Sequence, residues 1–142
     1  MADPIAIPES HRDLLERPIC AVLATMLPSG FPQANVVWCG YDGTDVLIST
    51  TAERAKGRNM AARPRATILI VDPDDGNRWI QIRGHVEVTR GDAVDVVDRL
   101  TRQYTEYTCY YGGVVPAEQQ HDETRILCRI QPARVTLGAI HA

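Results

Sequence analysis

The sequence predicts a mainly β (α+β) domain: six strands with two or three peripheral helices, wound into a small closed or half-closed β-barrel. Three observations carry this expectation. Apolar residues recur at strand spacing over most of the chain, and helical spacing is confined to short stretches. Strand-like segments are parted by turn chemistry at Pro28-Ser29-Gly30, Asp42-Gly43 and Asp72-Pro73-Asp74-Asp75-Gly76-Asn77. Consecutive strands with few helices between them form a meander, the order that closes small barrels. At 142 residues the chain reads as one domain, 1–142, large enough for a real core.

Glu9 to Arg17 reads as a short helix, with Ser10 as its N-cap and Pro18 as its stop. Ile19 to Met26 is a continuous apolar run, the mark of a strand buried on both faces. Gln33 to Tyr41 alternates, with Gln33, Asn35 and Val37 on one face and Ala34, Val36 and Trp38 on the other. Its apolar neighbours assign Trp38 to the core. Asp42-Gly43 is a hairpin signal, and Asp45 to Thr50 is the returning strand of a three-strand meander. A helix follows and ends near Ala62, because Pro64 disfavours helix at Arg63. Ala66 to Val71 is another buried strand. From Arg78 to Val88, Ile80, Ile82, Gly84, Val86 and Val88 share one face, while Trp79, Gln81, Arg83, His85 and Glu87 share the other. Asp92 to Tyr107 carries a helical stripe through Val94, Val97 and Leu100. Gly112 to Glu123 is a loop, and Ile126 to Leu137 is a closing strand broken at Pro132. Tyr104, Tyr107, Tyr110 and Tyr111 either line a pocket or cover the barrel mouth, and the second reading is preferred.

Charge and composition exclude several functions. A net charge of −3 and a pI of about 5.8 argue against nucleic acid, which needs a broad basic surface. No apolar run approaches the roughly 20 residues of a membrane span. Cys20, Cys39, Cys109 and Cys128 form no metal-type pairs, Cys20, Cys39 and Cys128 lie in apolar stretches, and the first residues show no basic-plus-apolar signal pattern. No metal is expected, Cys20, Cys39 and Cys128 are expected as buried thiols, and the expected compartment is the cytoplasm.

One segment points to a ligand. The chain has 15 basic residues, and its only lysine, Lys56, stands in Arg54-Ala55-Lys56-Gly57-Arg58. With Thr50 as N-cap and Glu53 closing a capping box, these cations would sit at a helix start, where free N–H groups favour an anion. A solvated helix face is the competing reading.

The motifs Gly30-x-Pro32-Gln33, Trp38, Tyr41-Asp42-Gly43, Ile48-Ser49-Thr50, Lys56-x-Arg58-Asn59 and Pro64-Arg65 resemble those of a known superfamily. It is the flavin- and deazaflavin-binding split β-barrels, the pyridoxamine 5′-phosphate oxidase-like proteins. The pattern is most similar to the actinobacterial branch that uses coenzyme F420. The resemblance implies a six-stranded split β-barrel of the FMN-binding type. It also implies a homodimer with two cofactor sites at the interface. The ring would lie along Gln33, Asn35 and Val37 and along Ile48, Ser49 and Thr50. The phosphate and acidic tail would meet Arg54, Ala55, Lys56 and Arg58. Trp79 and Gln81 would reach the partner's site, although Trp79 reads equally as an aromatic buried by dimerisation. No catalytic acid or base is implied, because the hydride is the cofactor's. The implied activity passes hydride between reduced F420 and an unsaturated or quinone-like small organic substrate. The alternatives are an FMN-binding oxidoreductase of the same fold and a non-catalytic F420 or flavin carrier. The closing Ile130-Gln131-Pro132-Ala133-Arg134 departs from the substrate segment of the vitamin-B6 oxidases.

Overall fold

A computed structural model describes residues 5–138. It contains one curled antiparallel sheet of seven strands. They are β1 (Ala21–Met26), β2 (Pro32–Val37), β3 (Gly40–Tyr41), β4 (Val46–Thr51), β5 (Arg65–Asp72), β6 (Asp75–Thr89) and β7 (Arg125–Gly138). Three helices accompany them: α1 (Asp13–Glu16), α2 (Ala55–Ala62) and α3 (Ala93–Tyr104). The split-barrel expectation holds, with one strand more than the sequence suggested.

That extra strand changes the topology. The sheet order is β2-β1-β5-β6-β7-β4-β3, so β2 and β3 are its two edges. The segment read as one strand, Gln33 to Tyr41, is therefore two, and β2 does not continue into a hairpin with β4. Trp38 and Cys39 alone separate β2 from β3. Three Cα steps reach at most roughly 11 Å, so the sheet must curl until its edges nearly meet. The gap between the edges is the split, and Trp38 lies at it.

Strand alternation sends Leu23, Ile48, Ile68, Ile70, Ile80, Ile82 and Ile130 inward, all fully buried. Leu14 and Leu15 of α1 and Met60 of α2 close this core. A second cluster lies outside the curl. There Ala93, Val96 and Leu100 of α3 cover Leu47 of β4 and Leu127 of β7. The strong apolar stripe of α3 exists to make this contact.

The N-terminal helix is shorter than expected. Glu9–His11 form a 3-10 turn and α1 is a single turn. Pro8 precedes that turn, and Ser10 caps nothing; its hydroxyl is hydrogen-bonded with Nδ1 of His11 at 2.8 Å. A charge network holds α1 in place instead. Arg78 bonds Asp13 and Asp72, and Arg17 bonds Asp13 and Asp74. Pro132 does not break β7, whose register shifts opposite Arg83 and Gly84. No helix among the described residues is long and apolar enough to cross a membrane.

Candidate functional site: a groove at the barrel split

The cations at 54–58 are placed by a tight join between β4 and α2. Gly57 makes it possible, because a Cβ there would lie 2.0 Å from the carbonyl oxygen of Thr51. The capping box does not form. Arg54 occupies the N-cap position, and its N–H bonds Oγ1 of Thr51 at 3.3 Å, not Thr50. Glu53 accepts the N–H of Thr124 and so ties the join to β7.

Arg54 and Lys56 face a groove of about 260 Å³ at the split. Ser49 and Arg125 complete its polar end; Cys20, Val36, Val37, Trp38 and Tyr110, with Val97, Leu100 and Val114, form its apolar walls. Burial lowers the pKa of Lys56 from its ordinary value, and the nearby charges of Arg54 and Arg125 lower it further. The chain's ion pairs among the described residues involve Arg17, Arg78, Arg125 and Arg129. Arg54 and Lys56 thus lack an acidic partner there. Oγ of Ser49 is buried in the same lining without a hydrogen-bond partner. An unmet hydroxyl beside unneutralised cations suits an anion with acceptor oxygens.

Arg125 differs from the other two cations. Its guanidinium pairs with Glu123 at 2.8 Å, bonds the Tyr111 hydroxyl at 3.1 Å and lies 4.5 Å from the Tyr110 ring centre. Burial would raise the Glu123 pKa. Hydrogen bonds from Tyr111 and Gln119 and the charges of Arg125 and Arg54 outweigh it and lower the net value. The loop from Thr105 to Thr124 is thereby clamped over the groove.

The apolar wall is equally fixed. Trp38 stacks on Tyr104 with ring centres 5.4 Å apart, and Tyr110 meets it edge-on at 6.5 Å. The Tyr104 hydroxyl accepts the Cys39 N–H at 3.1 Å and donates to the Ile19 carbonyl at 2.8 Å. It satisfies backbone groups exactly where the split leaves them without a ladder partner.

Of the residues expected at the site, Val37, Ser49, Arg54 and Lys56 line this groove, and Ala55 lies between two of them. Others do not. Ile48 and Thr50 point into the core and are fully buried. Gln33 accepts a hydrogen bond from Asn59, which also bonds Thr25, and Asn35 shares that inward face. Arg58 bonds the Glu53 carbonyl, turned from the groove. Trp79 and Gln81 lie on the outer face of β6, where Trp79 fills the space a side chain at Gly138 would take. Trp38 is a groove residue, not a core one, because Ala34 and Val36 face outward and Val36 is 70% exposed. Cys20 is exposed, contrary to expectation, whereas burial pushes the thiols of Cys39 and Cys128 up to about 11 and about 12. Arg125 and the α3 residues escaped the sequence reading, whereas Tyr110, one of four tyrosines read as covering the barrel mouth in preference to lining a pocket, lines the groove. Only Arg125 had a local signal: a cation opening an apolar strand two residues after Glu123.

The profile of the family described as pyridoxamine 5′-phosphate oxidase matches residues 7–137. The chain belongs to this family. Membership agrees with the curled antiparallel sheet described above, the split-barrel fold. A curated pyridoxine/pyridoxamine 5′-phosphate oxidase of Azorhizobium caulinodans is 34% identical over 80 residues, 56% of this chain and 37% of its own. The corresponding protein of Mycolicibacterium paratuberculosis is 29% identical over 99 residues, 69% of this chain and 41% of its own. The chain thus spans about two fifths of the length of the curated relatives it matches. Among solved structures, an F420 reductase superposes with a TM-score of 0.78 at 30% identity, covering 92% of this chain and 98% of that one. The heme storage protein HutZ of Vibrio cholerae shares the fold alone, with a TM-score of 0.69 at 12% identity over 94% of this chain and 96% of that one.

Proposed function

We propose that this protein is a deazaflavin-dependent reductase that passes hydride between reduced F420 and an unsaturated or quinone-like organic acceptor. One observation carries the reading: a single groove joins an unneutralised cationic end to a flat aromatic wall. Arg54 and Lys56 would hold the cofactor's phosphate, with the Ser49 hydroxyl as donor to the same anion. Arg125, already paired with Glu123, would shape that end and contribute less charge. Trp38, backed by Tyr104, and Val37 would face the planar ring. When bound, reduced F420 supplies the hydride, so the chain's own residues need only orient the ring and exclude water. The likeness to an F420 reductase over nearly its full length supports this choice over FMN.

The groove's 260 Å³ falls below the roughly 300–1,000 Å³ of sites that enclose a drug-sized ligand. A second copy would complete it. Val36, which lines the groove, adjoins the exposed Val22 and continues through Leu69 of β5 into an apolar patch on the sheet's outer face. A C2 homodimer across that patch is the simplest cover.

Titration of the pure protein with F420 and with FMN, following quenching of F420 fluorescence, tests the cofactor. Saturable F420 binding is expected; tight FMN binding with no response to F420 would sink the reading. Turnover is then tested by reoxidation of bound F420 with enones, quinones and nitro compounds. No acceleration over free reduced F420 would assign the protein as a carrier.

A further inference from the structure

A second cavity, of about 460 Å³, opens where β1 ends and β5 begins, and it shares no lining residue with the groove at the split. Its walls carry Arg63, Arg65, Arg83 and His85 over a floor that includes Met26 and Ala133. None of these side chains enters an ion pair among the described residues. The strand register concentrates them. Arg65 lies directly opposite His85, and Arg83 directly opposite Arg134. Like charges placed opposite each other on neighbouring strands destabilise a sheet, and the folded chain keeps Arg83 opposite Arg134 with neither in an ion pair.

Two further features make this a built cavity. Arg63 is preset: its Nε donates to the Met26 carbonyl at 2.7 Å and its Nη2 to Oδ1 of Asn59 at 3.2 Å. A guanidinium has five N–H donors, so three remain for a ligand. The sheet is also reshaped here. The β6–β7 register shifts between Arg83 and Gly84, leaving Ala133 as the extra residue of a bulge. A Cβ on Gly84 would lie 2.3 Å from the Gln131 carbonyl oxygen, so the close approach of the two strands at the bulge requires glycine. Bulges of this kind re-aim side chains, and this one sits between Arg83 and the cavity floor.

We propose that this cavity is a second binding site, selective for a small, multiply charged organic anion whose apolar part rests on Met26 and Ala133. The preset Arg63 fork holds one oxyanion group, and Arg65 and Arg83 close on it from the two strands. The assignment uses neither Lys56 nor any other residue lining the groove, but Ala24 and Thr67 of its lining adjoin Val22 and Leu69 of the patch where a second copy is proposed to sit, so the cavity would lie beside that interface.

The test is isothermal titration of the full chain, without divalent metal, using inorganic pyrophosphate and, separately, citrate as probes. Saturable binding of at least one probe is expected, and the stronger one tells phosphoryl from carboxylate chemistry. Saturable binding should persist in Lys56→Ala, whose groove lacks its anion-binding lysine, and adding Arg65→Ala/Arg83→Ala to that variant should weaken it at least tenfold. Both arginines are exposed, neither enters an ion pair among the described residues, and Arg83 faces the like charge of Arg134, so the double variant should melt no lower than the parent. Should it fail to fold, Arg65→Gln/Arg83→Gln keeps the side-chain bulk and serves instead. The parent's melting temperature should rise with the bound probe and the variant's should not. Absence of saturable binding for both probes overturns the site. So does equal affinity in the double variant, or binding abolished by Lys56→Ala alone.

Discussion

Changing Lys56 to Ala separates an anion site from a solvated helix face. Lys56 is partly buried and stands beside Arg54 and Arg125, with no carboxylate within ion-pair distance among the described residues. A charge-assisted hydrogen bond to phosphate contributes roughly 1.5–3 kcal/mol. Its loss should weaken F420 binding about 10- to 100-fold, since about 1.4 kcal/mol is a factor of ten. Burial, then its two cationic neighbours, lower its pKa in the folded chain. The unfolded chain therefore holds the proton more tightly, and stability rises as pH climbs through the folded value towards the ordinary one. The charged lysine thus opposes folding at neutral pH. Lys56→Ala should melt at the same temperature as the parent or slightly higher without ligand. Cofactor affinity should fall as pH rises through the lowered value, and this pH dependence should vanish in the variant. Lys56→Arg should recover only part of the affinity, because a planar fork replaces a compact ammonium. Fluorescence titration of F420 across pH, paired with thermal melts, measures both effects. If Lys56→Ala binds F420 like the parent, the cationic end of the groove is not a phosphate site.

Three other perturbations test the architecture. Tyr104→Phe removes the hydroxyl shared by the Cys39 N–H and the Ile19 carbonyl; it should cost about 1–3 kcal/mol and alter the near-ultraviolet circular dichroism of Trp38, and an unchanged urea midpoint would refute the role. Gly57→Ala should improve helix propensity by about 1 kcal/mol, yet the 2.0 Å clash with Thr51 should outweigh it, so the variant melts lower and binds F420 more weakly. A higher melting temperature would show that the β4–α2 join relaxes freely. The Arg78 hydrogen bond lowers the pKa of Asp13; the Asp74 N–H, then Arg78, lowers that of Asp72. Their stabilisation is present above the ordinary carboxyl value of 3.8 and is lost as pH falls through the lower folded values. Arg78→Ala should therefore shift acid unfolding, followed by circular dichroism, to higher pH, and an unmoved midpoint would contradict this account.

The cationic end of the groove was legible before the fold was known. Arg54, Lys56 and Ser49 adjoin one another along the chain, and a cation cluster after a strand is a local signal. Arg125 was not legible, because it reaches the site from about 70 positions away through a β4–β7 pairing that no local pattern encodes; Tyr110 was named among four clustered tyrosines, but nothing local decided which of them lines the groove. Ile48 and Thr50 were misplaced for a related reason. Alternation puts Ser49 and Thr50 on opposite faces, so the two hydroxyls could never share one groove.

The sequence by itself determined the class of fold. Period-two patterning, Asp-Gly and Asp-Pro turns, and the Pro64 stop specify which segments are strands and where most of them end, because these preferences act within a few residues. It also determined the inner and outer faces of β6, which Ile80, Ile82 and Val86 declare by alternation alone. Only the tertiary structure decided that Gln33 to Tyr41 is two strands on opposite edges of one sheet. The physical reason is that a strand's partner is chosen by core burial across the whole chain, whereas its extended backbone is chosen locally. Moving β3 to the far edge opens the split, turns Trp38 from the core to the groove, and brings β7 and α3 to the same cleft as the cations.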